Sequence, residues 1–246
     1  MIRRSNGKES HAPDIDQRFR PLGRAHEMLD GRNGFEIRSY RDRDRAAIQR
    51  LCCDTGFLGE PIDAVFQDRE LFAELFTKPY LDHEPEWAWV AEDQGRVVGY
   101  LLGSVGKEFE LALLRSGFQT TFKMVFRLAM GRYARHPRSR QFIRWLLGSG
   151  FREQPRHPRN AAHLHWDIER EYRGCGVAQG FWQVFVDRLL AVGVRHCYGS
   201  FFSYPRRRPE RIYARFGFDV FDRRQTTLFW PELAEEVEVV CVHKRF

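Results

Sequence analysis

Three polar side chains that could transfer protons alternate along one short segment of the chain. Residues 163 to 168 read His-Leu-His-Trp-Asp-Ile, and the two-residue period of a strand places His163, His165 and Asp167 on one face. Imidazole and carboxylate groups are common general acids and bases in enzymes. The two histidines could equally be structural side chains with satisfied ring nitrogens. The segment predicts either a proton-transfer site or an ordinary polar sheet face.

A glycine-containing loop follows this segment and leads into an apolar run. Residues 173 to 178 read Arg-Gly-Cys-Gly-Val-Ala, and Gly193 stands where a helix end favours glycine. Apolar side chains between these points recur at helical spacing: Val177, Phe181, Val184, Phe185 and Val192. Glycines allow backbone N–H groups to face a ligand, and a helix N-terminus adds unpaired donors and partial positive charge. The pattern predicts a strand, a phosphate-binding loop and a helix, with an ordinary turn as the alternative.

Length and composition indicate a globular protein. The chain has 246 residues, of which 43% are apolar, including 21 Phe, and this is ample for a core. Cys52 and Cys53 are neighbours among an odd total of five cysteines, so we expect reduced thiols rather than a disulfide framework. No signal-peptide pattern follows the start, and no apolar run approaches the ~18 residues of a membrane span. We therefore expect a cytoplasmic protein that is soluble or at most peripheral.

Periodicity predicts an alternation of strands and helices after a polar N-terminal segment. Residues 1–33 have almost no apolar period and are expected to be a flexible tail, and 34–246 are expected to form a single domain. Strands are predicted at 35–38, 87–91, 96–104, 163–168, 195–203, 219–230 and 237–244. Helices are predicted from Asp42 onward, over 62–76 ending before Pro79, and over 177–192. The strands at 87–91 and 96–104 are expected to form a hairpin whose turn contains Asp93 and Gly95.

A basic segment, residues 105–160, interrupts this alternation. It contains twelve Lys or Arg residues against three acids, whereas the whole chain has a net charge of +7. Helical spacing around Phe118 to Ala129 and around Trp145 predicts an insertion of two or three amphipathic helices. The segment could be a solvated, mostly helical cap on one side of a substrate site. It could instead recognise nucleic acid or an acidic substrate, or bind a membrane surface or a protein partner. It carries no nucleic-acid-binding motif.

Three motifs resemble those of the GNAT superfamily of acyl-CoA-dependent N-acetyltransferases. Residues 90–100, Val-Ala-Glu-Asp-Gln-Gly-Arg-Val-Val-Gly-Tyr, look like the family's central hairpin. Residues 173–178 are similar to its Arg/Gln-x-x-Gly-x-Gly/Ala signature, and Tyr213-Ala-Arg-Phe-Gly-Phe to its late Tyr-x-x-x-Gly-Phe motif. The resemblance implies an α/β (α+β) fold with a mixed, mostly antiparallel twisted sheet flanked by helices. The basic insertion would lie between the third and fourth strands.

A narrower likeness covers residues 162–168 and 78–85. These segments look like a bacterial subgroup related to the acetyltransferase-like domain of O-GlcNAc hydrolases. One departure from the superfamily pattern is that Arg206 and Pro209 stand where the family commonly has Asn and Ala. A side-chain contact to the coenzyme arm would then be missing, and the helix that carries Tyr213 would begin late.

The resemblance also implies an activity and a set of site residues. The protein would be a transferase that moves an acetyl group from acetyl-CoA to a primary amine by direct attack, without a metal. In this mechanism a base on the face that carries His163, His165 and Asp167 accepts the amine proton, with Asp167 and His165 as the leading candidates, directly or through water. Tyr213 protonates the departing thiolate. The coenzyme would contact eight residues: Ile168, Arg173, Gly174, Cys175, Gly176, Val177, Ala178 and Phe202. Because transfer is direct, Cys175 is interpreted as a loop residue and not as a nucleophile.

Several alternatives remain open at the level of sequence. The competing function is a non-catalytic GNAT-like module that binds coenzyme A, a protein partner or nucleic acid. The acceptor would be a small-molecule or peptide amine whose identity no motif reveals. Acyl-chain length and oligomeric state are equally open, a dimer included.

Overall fold

Seven strands form one sheet in the computed structural model, which describes residues 34–106 and 109–246. The tail expected over residues 1–33 lies outside the described residues. The strands are β1 (Glu36–Ser39), β2 (Ala88–Asp93), β3 (Arg96–Ser104), β4 (Ala162–Ile168), β5 (His196–Ser203), β6 (Asp219–Thr226) and β7 (Val237–Arg245). Their order is β1-β2-β3-β4-β5-β7-β6, and only the β4–β5 pair of this sheet is parallel. This arrangement confirms the predicted fold class.

Six α-helices flank the sheet in the described residues. They are α1 (Arg45–Thr55), α2 (Arg69–His83), α3 (Phe109–Ala129), α4 (Pro137–Gly148), α5 (Val177–Ala191) and α6 (Glu210–Arg215). Side chains alternate along the strands, so the sheet has a core on each face. On β3, Tyr100 and Leu102 pack with the core of α1 and α2, whereas Val98 and Leu101 pack with that of α5.

The basic insertion lies between β3 and β4, as predicted, and forms α3 and α4. Met124, Phe142 and Ile143 are fully buried in the core that α1 and α2 share. Much of the positive charge is paired with acids from elsewhere in the chain: Lys123 with Glu74, Arg127 with Asp68 and Glu70, Arg138 with Glu232, and Arg156 with Asp222. The insertion is therefore an integral layer of the fold and not a uniformly free basic surface.

One apolar face of α3 is exposed. The side chains that are buried on this helix are Phe109, Ala112, Ser116, Thr120 and Met124. The larger apolar side chains Leu114, Phe118, Phe122 and Phe126 are between 59% and 75% exposed. No helix in the described ranges is both long and apolar enough to cross a membrane.

Three predicted element ends are wrong, two on the second helix and one on β6. The second helix begins at Arg69, after a 3-10 turn over Ile62–Ala64, and continues through Pro79 to His83. A proline inside a helix removes one backbone donor, but Pro79, Tyr80 and Leu81 are all buried, and their packing outweighs that loss. Strand β6 ends at Thr226 and not at Trp230, because the Thr227 N–H donates to the Glu153 carboxylate and so leaves the strand ladder.

The predicted hairpin is confirmed, and Asp93 pairs with Arg96 across its turn. Gln94 and Gly95 are its central residues, with φ angles of 47° and 80°. Two successive left-handed residues are typical of the tight turn that suits the right-handed twist of paired strands. The hairpin presents β3 to β4, which carries the polar residues singled out in the sequence.

Candidate active site

Strands β4 and β5 part in the middle of the sheet. They pair only through Ala162–Cys197, His163–Tyr198 and Leu164–Gly199 within the described residues. Beyond these positions β4 stays paired with β3 up to Ile168, and β5 stays paired with β7 up to Ser203. The two diverging strands therefore leave a gap that opens toward Ile168 and Phe202.

The predicted glycine loop joins the end of β4 to the start of α5. Gly174 and Gly176 have φ angles of 85° and 97°, in the left-handed region that favours glycine. Gly176 is the N-cap residue of α5. The N–H groups of Arg173 and Cys175 form long bonds of 3.3 Å to Arg170 and Tyr172 within the loop. The first-turn N–H groups of α5, from Val177 onward, have no partner within the helix itself. They form a suitable anchor for an anion.

The Arg173 side chain ties this loop to two other parts of the chain. Its Nε donates to the Ile168 carbonyl at 3.0 Å, and its terminal nitrogen donates to the Gly59 carbonyl at 3.0 Å. Gly59 lies in the turn between α1 and α2. Arg173 thus fixes the open end of β4 against that turn as well as contributing backbone to the loop.

A hydrogen-bonded cluster of Tyr100, His165 and Asp167 lies on the α1–α2 face of the sheet. Tyr100 is directly opposite Asp167 in the β3–β4 register, and its hydroxyl donates to the Asp167 carboxylate at 2.6 Å. The same hydroxyl is 3.2 Å from Nε2 of His165, which is 3.4 Å from the carboxylate. Both β4 side chains are partly exposed, so a proton acceptor at this position is accessible from the gap.

His163 has a different environment from the other two polar residues of β4. Its Nδ1 is 2.7 Å from the Tyr80 hydroxyl, and its ring packs against Tyr198 at 4.8 Å. Burial, with a smaller effect from His165 and His157, lowers the pKa of His163 to about 3. His163 is therefore neutral near pH 7 and a weak base, which fits a structural role better than a catalytic one.

Tyr213 packs against both of the diverging strands. It is buried on α6, and its ring stacks nearly parallel on Trp166 of β4 at 5.0 Å and on Phe201 of β5 at 4.8 Å. Burial raises the pKa of Tyr213, and the nearby Asp167 raises it further, so the hydroxyl keeps its proton. The helix starts only three residues earlier, at Glu210, with Pro209 as its N-cap.

Sequence reasoning missed two residues of this site. Tyr100 was the last residue of the hairpin motif and was not named as a site residue, and only the cross-strand register shows that it faces Asp167. Arg207 stood in a run of three arginines with no motif of its own. Its side chain lies against Gly59 beside Arg173, a contact between loops far apart in sequence.

The fold is similar to those of several solved protein structures. No family model and no curated protein sequence matches the chain. The solved structure of SsHAT is 25% identical over 86% of this chain and 98% of that chain, with a TM-score of 0.57. A GCN5-related N-acetyltransferase from Kribbella flavida is 15% identical over 88% of this chain and 100% of that one, with a TM-score of 0.52. The structure of yncA from Salmonella typhimurium, solved with its cofactor acetyl-CoA, is 12% identical over 86% and 94% of the two chains, with a TM-score of 0.50.

The fold is that of GNAT N-acetyltransferases. The similarity extends over most of the chain.

Proposed function

We propose that this protein is an N-acyltransferase that moves an acetyl group from acetyl-CoA to a primary amine by direct attack in a ternary complex. The observation that carries this proposal is the gap between β4 and β5, with the glycine loop at one end and Tyr213 packed against both strands. The GNAT fold supports it. The narrower subgroup likeness stays a prediction from the two motifs that suggest it, as does a cytoplasmic location.

The coenzyme would lie in the gap with its pyrophosphate on the glycine loop. The residues proposed to contact it are Ile168, Arg173, Gly174, Cys175, Gly176, Val177, Ala178 and Phe202. The left-handed glycines fit this role, because a side chain added at Gly174 would meet no atom within 4 Å and the loop surface is therefore open. Acetyl-CoA supplies an activated thioester, whose carbonyl backbone N–H groups near Ile168 would polarise.

Asp167 and His165 are the proposed acceptors of the amine proton. A primary amine is mostly protonated at neutral pH and attacks only after it loses a proton. The Tyr100 hydroxyl donates a hydrogen bond of 2.6 Å to the Asp167 carboxylate, and this bond fixes the orientation of the carboxylate. His163 shares their strand face, but its lowered pKa and its contact with Tyr80 make it the weakest of the three.

Tyr213 is the proposed acid. The amine nitrogen forms a bond to the acetyl carbon, and the carbon–sulfur bond breaks. The electron pair of the carbon–sulfur bond moves to sulfur. A proton from the Tyr213 hydroxyl would then give the free thiol, and the tyrosine would regain a proton from solvent. Because its pKa is raised, the Tyr213 hydroxyl is protonated at neutral pH and can donate toward the sulfur as negative charge develops there.

Titration of the protein with acetyl-CoA tests this function. At about 100 times its dissociation constant, the ligand should stabilise the wild-type protein by about 2.7 kcal/mol in a thermal-shift measurement. Tyr213→Phe keeps the stacked ring, so it should show nearly the same shift but turn over at least about 100-fold more slowly in a primary-amine panel. The absence of a shift at millimolar acetyl-CoA would contradict coenzyme binding. Equal loss of binding and turnover in Tyr213→Phe would make this tyrosine structural.

A further inference from the structure

Arg207 occupies a rigid turn between β5 and α6. Backbone bonds in both directions join Tyr204 and Arg207, at 3.0 and 2.9 Å, and close a four-residue turn with Pro205 at its second position. The Ser203 hydroxyl donates to Glu210 at 2.8 Å and steadies the start of the next helix. The backbone of Arg207 is therefore fixed, and its side chain projects from a defined point.

The Arg207 guanidinium lies beside Arg173 at the turn between α1 and α2. A Cβ placed on Gly59 would be 3.1 Å from the Arg207 guanidinium carbon and 3.3 Å from a terminal nitrogen of Arg173. Gly59 itself is held in a turn closed by two backbone bonds between Phe57 and Glu60, of 2.8 and 2.9 Å. Two cations from distant loops thus converge on one rigid glycine.

This pair of cations lies close to the proposed reacting groups. The Arg173 side chain, which lies beside that of Arg207, donates to the carbonyl of Ile168, the residue that follows Asp167. In agreement with this position, burial lowers the pKa of Arg207 and the charge of Asp167 opposes that change, whereas the charge of Arg207 opposes the raised pKa of Tyr213.

No carboxylate of the described chain forms an ion pair with either Arg173 or Arg207. Arg173 spends its donors on two carbonyl oxygens, which leave its charge uncompensated. Burial and the neighbouring Arg173 lower the pKa of Arg207. A partly buried cation beside a like charge lowers stability unless an anion joins it.

The two neighbours of Arg207 behave differently. Arg206 pairs with Glu235 at 2.9 Å and is 77% exposed, and Arg208 is 3.7 Å from Glu210. Of the three consecutive arginines, only Arg207 lies beside Arg173 and has no carboxylate within ion-pair distance in the described chain. Because Arg206 and Arg208 both have such a partner, the isolation of Arg207 is not a property of the whole loop.

We propose that Arg207, with Arg173 beside it, binds a carboxylate carried by one of the two substrates at the reacting centre. A guanidinium can bind both oxygens of a carboxylate through parallel hydrogen bonds, which gives orientation as well as affinity. The carboxylate would belong either to the amine acceptor, as in an amino acid, or to a dicarboxylic acyl group on the coenzyme. This inference rests on the proposed acyltransferase function and names the chemical class of its substrate.

Matched substrate pairs test the proposal in both binding and turnover. For the acceptor, L-amino acids are compared with their own amides in the presence of acetyl-CoA. For the acyl group, succinyl-CoA is compared with acetyl-CoA. In one of these two arms the wild-type protein should bind or use the carboxylated member at least tenfold better, and the arm that responds identifies the source. Arg207→Gln should abolish that preference, because it should lower kcat/KM for the carboxylated member at least tenfold more than for the neutral member.

Arg206→Gln is the control, because it removes the same charge one residue away from the gap. It should keep the preference. Arg207→Gln should also leave the Tm of the ligand-free protein unchanged or higher, since it removes a partly buried cation that lies beside Arg173 and has no ion-pair partner in the described chain. A lowered Tm, equal losses for charged and neutral members, or no carboxylate preference in the wild-type protein would overturn the proposal. If the wild-type protein binds acetyl-CoA but ignores the carboxylate, only this inference fails, whereas no acetyl-CoA binding contradicts the proposed function itself.

Discussion

At the scale of single residues, three polar side chains of β4 that look equivalent in the sequence have different environments. Asp167 and His165 share the Tyr100 hydroxyl and are partly exposed, whereas His163 packs between Tyr80 and Tyr198. Alternation along a strand places side chains on a face, but the opposite strand decides what each one meets. Residues on β3, α2 and β5 therefore distinguish the candidate bases from the structural histidine.

Substitution of these residues should separate their roles. Asp167→Asn keeps the size of the side chain but removes the proton acceptor, and we expect turnover to fall by about 100-fold or more. His163→Gln should reduce turnover by less than about 10-fold, because a histidine with a pKa of about 3 contributes little as a base. The measurement is kcat in an amine assay, with coenzyme affinity as the control for folding. A larger loss in His163→Gln than in Asp167→Asn would reverse the assignment.

At the scale of elements, local periodicity predicted most of the strands and helices and could not predict how they meet. The alternation of 163–168 and the helical spacing of 177–192 gave β4 and α5 nearly to the residue, because both patterns depend on burial of one face. The continuation of α2 through Pro79 depends on tertiary packing of Tyr80 and Leu81, which local rules do not include. The Tyr100–Asp167 contact depends on the strand register, and the Arg207–Arg173 contact depends on how two loops meet; each joins residues more than 30 positions apart. The motif residues were therefore predictable from the sequence, and their partners were not.

The attachment of α3 to α2 depends on one buried carboxylate. Asp68 accepts hydrogen bonds from Arg127 at 2.8 Å and from Tyr133 at 2.5 Å, and its side chain is 4% exposed. It also caps α2 through the Leu71 N–H. Although burial alone would raise the pKa of Asp68, these hydrogen bonds and the charge of Arg127 lower it, so the carboxylate is ionised at neutral pH.

Removal of this carboxylate should be costly. Asp68→Ala leaves Arg127 and Tyr133 without their partner and removes the cap, so we expect the free energy of unfolding to fall by about 3 kcal/mol. Glu70→Ala removes the other partner of the same arginine, but Glu70 is 64% exposed and its loss should cost less than about 1 kcal/mol. Urea denaturation measures both. Equal effects would show that the buried geometry of Asp68 has no special importance.

At the scale of the whole molecule, one carboxylate links the insertion to the far side of the sheet. Glu153 lies after α4 and accepts hydrogen bonds from Trp145, Thr226 and Thr227 at distances between 2.6 and 2.9 Å. Thr226 ends β6, the edge strand beyond β7 and β5, whereas the insertion leaves the sheet after β3. This cluster therefore connects the insertion to the strands on the other side of the β4–β5 gap.

The ionisation of Glu153 should make this connection dependent on pH. Burial would raise the pKa of Glu153, but the hydrogen bonds from Trp145, Thr226 and Thr227 outweigh it and lower the pKa to about 2. A carboxyl group whose pKa is lower in the folded than in the unfolded state stabilises the fold above its unfolded pKa, near 4.3, and loses that contribution as the pH falls toward 2. Because solvent reaches part of this side chain, we expect Glu153→Gln to cost about 1 to 2 kcal/mol at pH 7. The difference in the free energy of unfolding between Glu153→Gln and the wild-type protein should shrink steadily below about pH 4.3.

Glu86→Gln, at an exposed position, should change the free energy of unfolding by less than about 0.5 kcal/mol at pH 7 and serves as the control. Urea denaturation at several pH values between 7 and 3 measures these differences, and a Glu153→Gln effect that stays constant over that range would show that the charge of Glu153 does not stabilise the connection.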